Sequence, residues 1–133
     1  MKKFAYLLLL GVCLLSAACK KQNTSPAIVG KWQLTEKYLS IGGPGFWQPV
    51  TDKNLQEVIE FKADGAYSSN LVPEFNRYQI ADSVTLVLYS SVNKSQPRYS
   101  YRYKIADESL VLTPTAPNVC IEGCAAKYSK QSN

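Results

Sequence analysis

From Val29 onward apolar and polar residues alternate in short runs, and turn-forming residues separate the runs. The clearest run is "RYSYRYKIADESLVLTP" (98–114). Tyr99, Tyr101, Tyr103 and Ile105 fall on one face, and Arg98, Ser100, Arg102 and Lys104 on the other. Successive side chains of a strand point to opposite faces, so this pattern predicts a sheet buried on one side and wetted on the other. "GKWQLTEKYL" (30–39) predicts a first strand with Trp32 and Leu34 on one face. "LQEVIEFKADGAYSSNLV" (55–72) has two alternating runs about Asp64-Gly65, a strong hairpin signal, with Ile59 and Phe61 on one face of the incoming strand. "NRYQIADSVTLVLYSS" (76–91) predicts two strands about a turn at Ala81–Ser83. "ADES" turns the chain toward Leu110, Val111 and Leu112, and Pro114 and Pro117 end that strand. "SIGGPGFWQPV" (40–50) reads as a glycine- and proline-rich loop. No convincing run of helical period is present. About eight strands at near-regular spacing, joined as hairpins, predict an all-β, antiparallel up-and-down barrel or a meander sandwich; the barrel is the expectation carried forward.

The first residues, "MKKFAYLLLLGVCLLSAAC", have a different pattern. Lys2 and Lys3 precede an uncharged apolar stretch, and small residues precede Cys19. This is the layout of a secretory signal peptide, and the apolar stretch is shorter than the roughly 20 residues a spanning helix needs. "SAAC" resembles the lipobox of bacterial lipoproteins, with Ser16 where an aliphatic residue is commonest. The resemblance implies cleavage before Cys19 and lipidation of its sulfur, and so a domain tethered to a membrane without spanning it. "KKQNTSPA" (20–27) is polar and ends beside a proline, as a flexible tether would. The expected organisation is a signal peptide (1–18), a lipidated tether (19–27) and one barrel domain (28–133). Surface-exported lipoproteins of Bacteroidetes commonly resemble one another in an acidic cluster after the lipidated cysteine; none follows Cys19, so the lipoprotein resemblance implies the periplasmic face of the outer membrane rather than the cell surface.

Charge excludes one class of partner. The net charge is +5, and loss of Lys2 and Lys3 leaves 5 − 2 = +3. The basic residues are scattered, so no nucleic-acid patch is formed. Of the four cysteines, Cys13 leaves with the signal and Cys19 takes the lipid. Cys120 and Cys124 remain in an oxidising compartment, where a disulfide persists. Reduced core thiols are the alternative. Straight strand would hold their α-carbons roughly 13 Å apart, and a disulfide tolerates at most about 7 Å. A disulfide here therefore requires a turn, with Gly123 free to take positive φ.

"GKWQL" resembles the Gly-x-Trp motif that opens lipocalins. With the "EFKADGAY" hairpin and the terminal "CIEGC", the domain is similar to small lipocalin-like (calycin-type) lipoproteins of Bacteroidetes. The resemblance implies an eight-stranded barrel whose bottom Trp32 closes beside Gly30. Lipocalins pack an arginine across that tryptophan; here only Lys127 and Lys130 are available.

The chain has no histidine, so it offers no Ser-His or Cys-His pair and no ordinary zinc site. Its carboxylates are dispersed. The expectation is a protein that is not an enzyme and uses no metal or cofactor. A barrel of this size encloses one small ligand. The expected function is binding of a small apolar molecule, with Phe46, Trp47, Tyr99, Tyr101 and Tyr103 as candidate contacts. The alternative is an envelope protein-protein interaction or inhibitor module, which would have a filled interior and an exposed apolar patch.

Overall fold

The computed structural model describes residues 27–120 and 123–132. The expected signal peptide, Cys19 and the tether up to Pro26 lie outside the described residues, as do Ile121 and Glu122. The fold is all-β. Among the described residues nine strands run β1 (Gly30–Leu39), β2 (Phe46–Pro49), β3 (Val58–Phe61), β4 (Tyr67–Ser69), β5 (Arg77–Ile80), β6 (Thr85–Tyr89), β7 (Tyr99–Ala106), β8 (Ser109–Ala116) and β9 (Ala126–Lys130). Every pairing is antiparallel. Eight strands follow the order β4-β3-β1-β9-β8-β7-β6-β5, and β2 pairs with β1 beside that path. The ends of the path meet at the base, where Ala66 bridges Arg77 and Tyr78 N–H donates to the Gly65 carbonyl at 3.0 Å. The sheet is thus an up-and-down barrel, nearly closed.

The predicted turns are where the sequence put them. At Asp64-Gly65 the chain reverses through Gly65 at φ 83°, a left-handed conformation that glycine adopts without penalty. Asp107, at φ 53°, makes the β7–β8 turn.

The segment read as a loop, 40–50, differs. Phe46–Pro49 is a strand, pairing Leu39↔Phe46, Tyr38↔Trp47, Lys37↔Gln48 and Glu36↔Pro49. Glycine and proline on either side hid it, because Pro49 lies on an edge where its missing N–H costs no ladder bond. The upper half of β1 pairs with β2 and the lower half with β3. The excursion between them holds a short 3₁₀ turn, Lys53–Leu55.

A bulge in β1 decides which side chains line the interior. The register against β9 shifts between Leu34 and Glu36. Without that shift Trp32, Leu34, Glu36 and Tyr38 would share a face. The extra residue, Thr35, turns the later pair outward. Trp32 and Leu34 are buried, whereas Glu36 and Tyr38 stand on the outer wall with Lys127 and Trp47. The core also contains Ile59, Phe61, Tyr67, Tyr78, Leu86, Leu88, Leu110, Leu112 and Tyr128. It is filled by side chains from all around the barrel, with Phe61 packed edge-on against Tyr78 at 5.0 Å.

Cys120 and Cys124 are joined by a disulfide, with α-carbons 5.8 Å apart and Gly123 at φ 73°. The stapled turn lies at the entry to β9, as the spacing required. Closing so small a loop is worth about 2 kcal/mol in the chain-entropy account. A Cys120→Ser/Cys124→Ser variant should lose about that much in urea unfolding; an unchanged midpoint would show that the staple adds nothing to stability.

Candidate functional site

Three regions of the barrel contain the residues singled out by the sequence. The base comes first. Gly30 has φ 133°, and a Cβ there would approach Lys130 Cε at 3.1 Å. Glycine leaves that space to Lys130, which the register places opposite Trp32. The Lys130 ammonium lies 5.3 Å from the Trp32 ring centroid, a cation–π contact. The indole N–H donates to the Ile28 carbonyl at 2.7 Å, folding the preceding segment across the barrel bottom. Beside it Ala27, Ile28, Ile80, Tyr103 and Ile105 line an apolar cleft of about 280 Å³.

The second region is the interior face of β7. Tyr99, Tyr101 and Tyr103 are half-buried and pack against the core, as their alternation required. They are not brought together with Phe46 and Trp47. Tyr101 faces a carboxylate that the sequence reading assigned no role, Glu57. Tyr128 Oη donates to Glu57 Oε2 at 2.8 Å, and Ser69 Oγ donates to Oε1 at 2.7 Å. Period two already places Glu57 on the inward face with Ile59 and Phe61. Burial, with Glu57 close by, pushes the Tyr128 hydroxyl well above its ordinary value and raises Tyr67 strongly. Tyr101 is pushed up to about 12 by burial first and then by Glu57. All three stay neutral donors through the physiological range, and Tyr128 is the one that hydrogen-bonds Glu57.

The third region lies on the outer wall at the opposite end from the N-terminal segment. The Tyr38 and Trp47 rings meet edge-on, with centroids 5.3 Å apart. Lys127 reaches over Trp47 at 5.6 Å and pairs with Glu36 at 3.0 Å. Tyr38 is wedged between the β1–β2 turn and the disulfide loop. A Cβ at Gly45 would overlap its ring, and one at Gly123 would come within 2.6 Å of it. Together with Val111, Thr113 and Ala125 these aromatics form an open groove of about 340 Å³. Phe46, 53% exposed, and Ile41, 88% exposed, extend the apolar surface around the hairpin tip. The sequence reading found Trp47 but not its partners. Tyr38 and Val111 are on the outer wall because of the bulge and the strand parity.

Among the described residues no group of three or more His, Cys, Asp or Glu is placed to hold a metal ion. No protein-family model matches the chain, and no curated protein matches it significantly.

Proposed function

We propose that this protein is a lipid-tethered, lipocalin-like barrel of the cell envelope that docks a partner protein through its outer-wall groove. The supporting observation is the distribution of apolar surface. Buried side chains from strands all around the barrel cluster in its interior, while Tyr38, Trp47, Phe46 and Val111 offer apolar surface outside. Aromatic side chains in a groove, with a polar rim such as the Glu36–Lys127 pair, are the usual anchors of protein interfaces. The lipid on Cys19 would hold the base toward the outer membrane, on its periplasmic face, and the groove lies at the other end. A second reading is favoured by the cleft of about 280 Å³ at the base, lined by Ile28, Ile80, Tyr103 and Ile105. It would take a small apolar ligand.

Native mass spectrometry of the protein purified from its own envelope separates the two. A stoichiometric protein partner supports docking; a recurrent small molecule without a partner overturns it in favour of the base cleft. Trp47→Ala should weaken the partner complex by about 2 kcal/mol, roughly 30-fold in Kd. The tether has its own test. Cys19→Ser should move the protein from the membrane to the soluble fraction, and unchanged fractionation refutes the lipidation.

A further inference from the structure

The groove uses one side of Trp47; the other side is an open sheet edge. β2 pairs only with β1, and no described strand pairs with its far edge. All four of its residues are exposed. The hydrogen-bond direction along β2 is fixed by its neighbours. Val50 N–H donates to the Thr35 carbonyl at 2.8 Å, toward β1. Alternation then directs Gln48 and Phe46 toward β1, and Trp47 and Pro49 away from it. Tyr38 N–H donates to the Ala125 carbonyl, just before β9, at 2.7 Å, away from β2, which fixes the same phase on the β1 side. Trp47 is therefore the β2 residue that presents both an N–H and a carbonyl outward, because Pro49 has no N–H to give.

The geometry points to self-association: a second copy of this chain adds its own β2 to this edge, antiparallel, about a two-fold axis at Trp47. A residue on the two-fold must offer a donor and an acceptor to its own copy, and Trp47 does so. The two Trp47 residues exchange two backbone hydrogen bonds, and Phe46 of each copy lies opposite Gln48 of the other. Charge favours the same edge. The chain carries +5 overall, yet no charged residue occurs from Tyr38 to Thr51. Two copies approaching here bring no like charges into register, whereas β1, β5, β7 and β9 each carry lysine or arginine. Two exposed aromatics per copy supply the apolar contact. Trp47 lines the groove and Phe46 extends its apolar surface, and both also belong to the edge, but the pairing is made by the β2 backbone and does not require a docked partner.

Cysteine substitutions read the register in the full-length protein, expressed in its own envelope and mildly oxidised. An antiparallel hydrogen-bonded pair holds its α-carbons about 5.5 Å apart, within disulfide reach. Trp47→Cys should give a disulfide-linked dimer on a non-reducing gel. Phe46→Cys and Gln48→Cys should each stay monomeric alone and cross-link when co-expressed. Absence of any Trp47→Cys or mixed Phe46→Cys/Gln48→Cys dimer overturns the pairing. So does cross-linking of all positions alike, which is collision without register, or a product whose mass is not twice that of the chain, which is another protein's strand on the edge. The mixed pair keeps the test decisive if Trp47→Cys is poorly exported.

Discussion

Trp32→Ala is expected to destabilise the barrel by about 3–5 kcal/mol, the range for removing a large aromatic from a packed core. Trp32 is fully buried. Its loss leaves a cavity between β1, β3 and β9, uncovers the Lys130 stem and orphans the Ile28 carbonyl. Trp32→Phe divides the effect. It restores most of the volume but not the indole N–H, and should cost about 1–3 kcal/mol for the unsatisfied carbonyl and the reshaped contact. Gly30→Ala reports the backbone contribution, since φ 133° is strained for any L side chain and Lys130 Cε stands in the way. The measurement is urea unfolding of the three variants. An alanine variant within about 1 kcal/mol of the parent would mean that the base is not part of the cooperative core.

These residues were legible because their roles are local or periodic. The Gly-x-Trp resemblance implied that Trp32 closes the barrel base beside Gly30, and strand alternation placed Tyr99, Tyr101 and Tyr103 inside. The turns at Asp64-Gly65 and Asp107-Glu108 follow from backbone preference, and the Cys120–Cys124 turn from chain dimensions. What the sequence hid depends on partners distant in the chain. β2 is stabilised by the upper half of β1, so its composition looks like a loop. The bulge at Thr35 is visible only once β9 sets the register, and it alone moves Tyr38 to the outer wall. The choice of Lys130 rather than Lys127 across Trp32 is a register fact of the same kind. Glu57 had the inward parity, but the groups that make an inward carboxylate tolerable are Ser69 on β4 and Tyr128 on β9.

That cluster sets the protein's limit at high pH. A buried tyrosine whose folded-state value is raised keeps its proton when the unfolded chain would lose it. The unfolded state then binds fewer protons, and stability falls as pH rises above the unfolded value of about 10. It is fully present below that value. Tyr67, Tyr101 and Tyr128 all shift in this direction, so the losses add. Each contributes up to about 1.4 kcal/mol per pH unit, and the three together remove about 4 kcal/mol by pH 11. That is a large part of the 5–15 kcal/mol typical of a domain. For Tyr101 the loss levels off once pH passes about 12, where the folded state ionises too. The urea midpoint should therefore hold up to about pH 9 and drop steeply between pH 10 and 11. Tyr67→Phe and Tyr101→Phe should each flatten the drop by about one proton. Glu57→Gln should flatten it more gently, because it removes the neighbouring negative charge but leaves the burial that contributes most. A midpoint that does not move between pH 9 and 11 would mean that these hydroxyls reach solvent in the folded protein. The interior would then be open at Glu57, and the balance between a filled barrel and a ligand-bearing one would shift to the latter.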